Sequence, residues 1–275
     1  MIINKTIFIT ALDWGLGHAT RCVPLIKQLR ENNQIILGVT EITSLVFDEE
    51  FPDLKKVNIE PYQIRYSKII PVSLTLMLDS VRILKVIKKE NQQLKEIIKE
   101  HKIDVVISDN RFGLYNPHVE SIYITHQLNI RAGLFSFFAN KIHHHYIKKF
   151  NAIWVPDSEE EEKSLAGKLS RNKGLKNVKY IGPLSRLRLV EKTEIQFDYL
   201  CLLSGPEPLR TELEFILIEK AKTSQKKIGI VRGSHLKVKN TTPGNVILID
   251  LPNAENLSGL IQNSKTIICR SGYST

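Results

Sequence analysis

Short apolar runs alternate along the chain with segments of helical periodicity, and this alternation restricts the fold more than any other feature. The runs occupy residues 6–11, 34–40, 57–60, 104–108, 121–125, 152–155, 178–181, 199–203, 227–231, 246–249 and 266–269. Most are continuously apolar, which is typical of strands buried on both faces of a parallel sheet. Apolar residues at helical spacing predict helices over 21–31, 73–101 and 209–221, with a bend or break at 91–93 as an option. The pattern predicts a doubly wound α/β fold.

The length of 275 residues suggests two domains, at roughly 100–200 residues per domain. Gly182-Pro183 marks the best boundary, because a strand run ends there and a second set begins near Tyr199. We predict a first domain over 1–182, a linker over 183–196 and a second domain over 197–275. The second domain has only four strand runs and stops directly after one of them, so we expect it to be incomplete.

The composition limits the classes of binding partner and the cellular compartment that we expect. The 39 Lys+Arg exceed the 29 Asp+Glu, and a basic surface favours anionic partners. Cys22, Cys201 and Cys269 are far apart, so the chain has no disulfide framework and no metal spacing, which fits a reducing compartment. Residues 143–145 are consecutive histidines that point in different directions on a helix, so we predict no metal site. The first residues do not resemble a signal peptide, and we expect a cytoplasmic protein.

Residues 13–21, DWGLGHATR, follow the first strand run and open the first helix. Gly15 and Gly17 allow a tight turn and a close approach to a ligand at a helix N-terminus. His18 lies at the carboxyl end of a parallel strand, where ligands bind in such sheets. A histidine there is a candidate general base. In the alternative interpretation His18 caps the helix or packs against Trp14.

Three more side chains follow strand runs at the same predicted edge. Asp109 and Arg111 are candidates for binding acceptor hydroxyls, and His126 is a third acceptor-side candidate. The alternative for Asp109 and Arg111 is a mutual ion pair on the surface. Residues 68–89 combine an apolar stretch with basic side chains, which suits an anionic membrane surface or a core-facing amphipathic helix.

The pattern strand–(D/G)xGxGHxxR–helix over residues 13–21 resembles the first loop of nucleotide-sugar glycosyltransferases with the GT-B architecture. Family-28-like enzymes are the most similar, including the N-acetylglucosaminyltransferase that makes lipid II. The Gly17-His18 and Arg21-Cys22 pairs also resemble the UDP-sugar hydrolase of pseudaminic acid synthesis. The resemblance implies a GT-B fold with two Rossmann-like domains, a nucleotide-diphospho-sugar donor that is UDP-linked, inversion at the anomeric carbon and no cofactor.

Two further segments resemble the donor site of this superfamily. Residues 269–275, CRSGYST, match its carboxyl-terminal motif, in which Arg270, Ser271 and Gly272 line the nucleotide-sugar site. Ser204 and Gly205 match its phosphate loop loosely, since Pro206 and Pro208 reduce the number of N–H donors. In the alternative interpretation, residues 203–208 are only a Pro-rich helix start. In relatives an acidic residue beyond the final motif holds the ribose, and this sequence ends before such a residue.

These features predict a glycosyltransferase that moves a sugar from a nucleotide-diphospho-sugar to a saccharide or lipid-linked acceptor hydroxyl, with His18 as the base. The expected location is the cytoplasm, with an option of peripheral attachment to the inner face of the plasma membrane. A hydrolase or epimerase acting on nucleotide-sugars is the nearest alternative. A basic module that binds membrane or nucleic acid without catalysis ranks lower, because the chain has no nucleic-acid-binding signature.

Overall fold

A computed structural model describes residues 2–62, 80–133, 136–191, 193–205, 207–233, 242–270 and 272–273. The chain divides into two compact units, Met1–Trp14 with His18–Leu184 and Gly15–Gly17 with Ser185–Thr275. Each unit contains one parallel sheet. This is the doubly wound α/β class that the alternation of apolar runs predicts. In the predicted linker, 183–196, the described residues form neither helix nor strand.

The sheet of the first unit has seven parallel strands in the order β3-β2-β1-β4-β5-β6-β7. The strands are β1 (Thr6–Ala11), β2 (Gln34–Val39), β3 (Lys55–Asn58), β4 (Val105–Asp109), β5 (Glu120–Ile124), β6 (Ala152–Val155) and β7 (Val178–Tyr180). The α-helices among them are α1 (Leu16–Leu29), α2 (Glu41–Glu50), α3 (Ser80–His101) and α4 (Ser136–Ile147). The strand order reverses between β1 and β4, which is the switch point where Rossmann-like sheets bind ligands.

The sheet of the second unit has four parallel strands in the order β10-β9-β8-β11. Its elements are β8 (Phe197–Leu202), α5 (Leu209–Ala221), β9 (Ile228–Val231), β10 (Val246–Ile249), α6 (Ala254–Gln262) and β11 (Ser264–Cys269). Strand order reverses here between β8 and β11, so this sheet also has a switch point. The edge strand β11 is largely exposed.

Continuous burial explains why the strands could be predicted from apolar runs. Phe8 and Ile36 are fully or nearly fully buried, and they share a core cluster with Leu94 of α3. Gly38 leaves room for the Phe8 ring, because a Cβ at Gly38 would lie 2.6 Å from a ring carbon. Packing of this kind supplies most of the stability of a helix-covered sheet.

The predicted bend at 91–93 is absent, since α3 is continuous from Ser80 to His101. The polar side chains that suggested a bend donate to backbone carbonyls outside the helix instead. Asn91 donates to the carbonyls of Gly113 and Tyr115, and Gln93 donates to the carbonyl of Asn58. The start of the predicted helix, 73–79, lies outside the described residues.

Within the described part of the chain, no helix is both long enough and apolar enough to cross a membrane. Most of the predicted membrane-binding segment, 68–79, lies outside that part. In the described remainder, Val86 and Ile87 are buried and Leu84 is exposed. The described turns of α3 therefore bury one face in the core, which is what the alternative interpretation expected.

Candidate functional site

The loop after β1 and the end of β4 meet at the switch point of the first sheet. β1 pairs with β4 so that Ala11 is the partner of Asp109, the last residue of β4. The turn before α1 needs a glycine, because Gly15 has a φ of 135°, in the region that other residues rarely adopt. His18 and Arg21 follow in the first two turns of α1, so both side chains begin close to the end of β4.

Asp109 is fully buried and accepts hydrogen bonds from three side chains. The Nδ1 atom of His18 lies 2.6 Å from its Oδ1 atom. Arg21 donates from Nε to Oδ2 and from Nη2 to Oδ1, each at 2.5 Å, and the Cys22 thiol donates to Oδ2 at 3.6 Å. Burial raises the pKa of Asp109, but the charge of Arg21 and the hydrogen bonds from His18 and Arg21 outweigh it, and the pKa falls to about 2. Asp109 is therefore a carboxylate at neutral pH.

The Nδ1 atom of His18 lies 2.6 Å from Asp109 and 3.0 Å from Nη2 of Arg21, which itself donates to Asp109 at 2.5 Å. An ionised carboxylate can only accept, so we assign the Nδ1 proton of His18 to the shorter contact, the bond with Asp109. The Nε2 atom then keeps its lone pair. The His18 side chain is 19% exposed, so the imidazole is partly accessible. Burial and the Arg21 guanidinium lower the pKa of His18 below its usual value, against the opposing effect of Asp109. The imidazole is neutral at pH 7 and can accept a proton on Nε2.

Arg21 also links this pair to the end of β5. Its Nη1 atom lies 2.8 Å from Nδ1 of His126. A guanidinium only donates, so Nδ1 of His126 accepts and its proton is on Nε2. Burial, followed by the charge of Arg21, lowers the pKa of His126 to about 3. His126 is thus a neutral imidazole of the opposite tautomer to His18.

Arg111 belongs to a separate buried network. Its Nε atom donates to Glu90 at 2.6 Å, Nη1 lies 3.4 Å from an Asp13 carboxylate oxygen, and Nη2 donates to the Glu60 carbonyl. Tyr62 donates to Glu90 at 2.8 Å. This network fixes Asp13 at the start of the DWGLGHATR loop.

Burial changes the interpretation of two predicted acceptor-binding residues. Asp109 and Arg111 do not form the surface ion pair that the sequence left open, because both are fully buried and bind different partners. Their charged groups have no exposed surface for a direct contact with an acceptor. We therefore regard both as positioning residues, while an acceptor-side role for Gly15, Gly17 and His126 stays a prediction.

The predicted donor residues flank the switch point of the second sheet. Ser204 and Gly205 follow β8, and Arg270 follows the adjacent strand β11. The Nη1 atom of Arg270 lies 3.4 Å from the Ser204 carbonyl, and a Cβ at Gly205 would lie 2.8 Å from that nitrogen. The N–H of Gly272 donates to the Arg270 carbonyl at 2.8 Å, so in this structure it closes a turn. Ser271 lies outside the described residues.

Sequence reasoning missed a buried ionic network beside this loop. Glu214 of α5 accepts from Arg210 at 2.9 Å and from Arg232 at 3.1 Å. Arg232 also donates to Asp250 at 2.9 Å. These contacts tie the ends of β9 and β10 to the helix that follows Ser204 and Gly205. Charged residues directly after β9 and β10 were the available signal.

The described residues form a cavity of about 750 Å³ in the second unit, and none of the predicted donor residues lines it. It lies along α6, where Ile249, Pro252 and Leu260 line it together with Asn256. Among the described residues there is no group of three His, Cys, Asp or Glu side chains placed to hold a metal ion. Of the three consecutive histidines, His143 is buried and donates from Nε2 to the Gln127 carbonyl, so it faces inward.

Solved structures resemble this chain over nearly its whole length. The spinosyn rhamnosyltransferase SpnG has a TM-score of 0.62 at 13% identity, over 98% of this chain and 76% of that chain. The glycosyltransferase SnogD from Streptomyces nogalater has a TM-score of 0.59 at 14% identity, over 99% of this chain and 78% of that chain. A putative UDP-N-acetylglucosamine 2-epimerase from Listeria monocytogenes has a TM-score of 0.60 at 12% identity, over 99% of this chain and 76% of that chain.

No protein-family model and no curated protein matches the sequence. At 12–14% identity the structural likeness bears on the fold. Together with the two parallel sheets, each with its own switch point, it shows that this chain has the GT-B fold of two Rossmann-like domains.

Proposed function

We propose that this chain is a glycosyltransferase that moves a sugar from a nucleotide-diphospho-sugar to an acceptor hydroxyl, with His18 as the general base. The observation that carries the proposal is the 2.6 Å contact between His18 Nδ1 and Asp109. It leaves Nε2 of a partly exposed, neutral imidazole ready to take a proton at the switch point of the first sheet.

In the proposed reaction, Nε2 of His18 accepts the proton of the acceptor hydroxyl. The acceptor oxygen forms a bond to the anomeric carbon, and the bond from that carbon to the diphosphate breaks. The nucleoside diphosphate leaves with the electron pair. The transition state resembles an oxocarbenium ion, as in other glycosyl transfers. Inversion at the anomeric carbon follows from the resemblance to family-28-like enzymes.

Asp109 and Arg21 support the base without touching the substrate. Asp109 fixes the tautomer of His18 and stabilises the imidazolium that forms during transfer, the role that a buried carboxylate has in other catalytic histidine pairs. Arg21 keeps Asp109 ionised and lowers the pKa of His18, so the base remains unprotonated at neutral pH. Gly15, Gly17 and His126 are proposed to contact the acceptor, which is a saccharide or a lipid-linked sugar.

On the donor side, Ser204, Gly205 and Arg270 are proposed to hold the diphosphate, together with Ser271 and Gly272. The cation of Arg270 lies against the Ser204–Gly205 turn and would stabilise the departing charge. The resemblance implies UDP, whereas SpnG and SsfS6 have been solved in complex with thymidine diphosphate. Both nucleotides therefore belong in the test. The proposal includes no cofactor, since the nucleotide-sugar is a substrate.

The test is a calorimetric panel of UDP- and dTDP-sugars, followed by a transfer assay on the best ligand. His18→Ala should retain donor affinity and lose about 10²–10⁴-fold in transfer rate, the usual contribution of a general base. His118→Ala is the matched control, because His118 is an exposed histidine of the same unit. Transfer by His18→Ala at the wild-type rate would show that His18 is not the base.

A nucleotide-sugar hydrolase or epimerase is the second candidate, favoured by the likeness to the putative UDP-N-acetylglucosamine 2-epimerase. Incubation with donor but no acceptor separates the three activities. A hydrolase releases nucleoside diphosphate and free sugar at high turnover, and an epimerase converts the sugar to its epimer. A chain that binds no nucleotide-sugar but binds DNA in a salt-sensitive way would instead be a binding module.

A further inference from the structure

Helix α4 presents an apolar and basic face to solvent. Phe137 is 73% exposed, Phe138 is 64% exposed and Ile142 is 60% exposed. The two phenylalanine rings contact each other edge to face, with centroids 5.6 Å apart. At about 100° per residue, these side chains and the exposed Lys141 and His145 fall within an arc of about 140°. We call this surface, residues 137, 138, 141, 142 and 145, the α4 face.

The opposite side of α4 is fixed to the unit, so the α4 face is held outward. His143 is buried and bonds through Nε2 to the Gln127 carbonyl at 2.8 Å, and His144 bonds in the same way to Leu128. Asn140 accepts from the Ile130 N–H and donates to its carbonyl. The helix therefore already has its core contacts, and the exposed aromatic rings are additional to them.

The segment that contains α4 carries only positive charges. No aspartate or glutamate occurs between Glu120 and Asp157, whereas the same segment contains Arg131, Lys141, Lys148 and Lys149. In the described part of the chain no carboxylate pairs with Lys141 or with Lys148, which directly follows the last residue of α4. Cations beside exposed aromatic and aliphatic side chains are the composition of a helix that lies on an anionic lipid surface.

Helix α3 has a second basic and apolar segment. Ile83 and Val86 of α3 belong to the same hydrophobic cluster as Tyr146 of α4. On its outer side α3 exposes Leu84 together with Lys85 and Lys88.

We propose that the α4 face binds the surface of an anionic membrane. Phe137, Phe138 and Ile142 enter the region between headgroups and acyl chains, while Lys141 contacts lipid phosphates. Membrane is favoured over nucleic acid because the exposed apolar side chains form one contiguous group that aqueous nucleic acid would leave hydrated. The inference depends on this face alone and not on glycosyl transfer.

The experiment is co-sedimentation of the full chain with vesicles of phosphatidylcholine alone and of phosphatidylcholine mixed with phosphatidylglycerol. The chain should bind the mixed vesicles more tightly, and added salt should weaken the binding. Replacing both phenylalanines, in Phe137→Ser/Phe138→Ser, should weaken binding by roughly tenfold or more, because that much apolar area no longer leaves water. Phe215→Ser is the matched control, since Phe215 is exposed on α5 of the other unit.

Lys141→Glu tests the electrostatic part and should weaken binding to the mixed vesicles only, with Lys176→Glu as the control for an exposed lysine elsewhere. Circular dichroism confirms that the variants are folded. Failure of the chain to bind mixed vesicles, or unchanged binding by the double phenylalanine variant, would overturn the proposal. So would equal binding to both kinds of vesicle, or a gel shift with DNA that requires the α4 face while vesicle binding is absent.

Discussion

Asp109 organises two basic side chains with a single carboxylate. One oxygen serves both His18 and Arg21, and the other takes a second Arg21 donor. Because the group is fully buried, removal of its charge would take away the carboxylate that accepts two hydrogen bonds from the buried Arg21 guanidinium. The same change would release the His18 tautomer, since nothing else described at Nδ1 can accept its proton. We therefore expect Asp109 to contribute both to stability and to the proposed proton transfer.

Asp109→Asn should lower both quantities. We expect the free energy of unfolding to fall by about 3–5 kcal/mol, the usual cost of removing one partner of a buried ion pair. Transfer should fall by about 10²–10⁴-fold with donor affinity unchanged, since the donor residues are on the other sheet. Urea titration and the transfer assay measure the two effects, with Asp48→Asn as an exposed control. Normal transfer by Asp109→Asn would remove the carboxylate from the mechanism.

The sequence predicted where these side chains lie in the fold better than which side chains they bind. His18, Asp109 and His126 could be placed at one sheet edge because each follows a parallel strand. Which of them pair could not be predicted, since the contact between His18 and Asp109 joins side chains 91 residues apart. Arg111 also follows β4, but it forms an ion pair with Glu90 and does not join His18 and Asp109. This pairing depends on α3 packing against the end of β4.

The backbone of the turn after β8 is adapted to the proposed donor site. Gly205 has a φ of 103°, which a side chain disfavours, and it lies against the guanidinium of Arg270. Any Cβ there both strains the turn and displaces the cation that is proposed to meet the diphosphate. Gly174 in the first unit has a similar φ of 97°, but a Cβ there would meet nothing within 4 Å.

These two glycines give a matched pair of variants. Gly205→Ala and Gly174→Ala should each lose about 1–3 kcal/mol of stability from backbone strain. Only Gly205→Ala should also weaken binding of the nucleotide-sugar, by roughly tenfold for each 1.4 kcal/mol of lost interaction. Calorimetry on both variants distinguishes the effects. Equal donor affinity for the two would argue that the β8 turn is not part of the donor site.

Elements were predicted where one physical signal dominated. Every apolar run overlaps a strand of the structure. Burial on both faces explains the continuous pattern of the central strands, whereas the apolar edge strand β11 is largely exposed. The break in α3 was wrong for a reason that sequence does not carry. Asn91 and Gln93 suggest a break in the sequence because both are polar. In the structure their side chains donate to backbone carbonyls of other segments, and the sequence does not show those contacts.

On the scale of the whole molecule, folding keeps several imidazoles neutral. Burial is the first cause in each case, and it lowers the pKa of His126 to about 3 and that of His143 to about 4. In the unfolded chain both have the ordinary value of 6.5. Below that value the unfolded chain therefore binds protons that the folded chain does not. The sign follows: their contribution to stability is complete above pH 6.5 and is lost as the pH falls.

We accordingly expect the free energy of unfolding to fall from about pH 7 to about pH 5, by about 2 kcal/mol for each such histidine, before the carboxylates respond. Asp109 adds a further loss only as the pH falls from 3.8 towards its folded pKa of about 2. Urea titrations at the two pH values measure the first loss. His143→Gln keeps a donor for the Gln127 carbonyl but cannot be protonated, so it should shrink the difference by about 2 kcal/mol. His118→Gln, at an exposed position, should leave it unchanged. A wild-type difference in His143→Gln would mean that this imidazole does not stay neutral on folding.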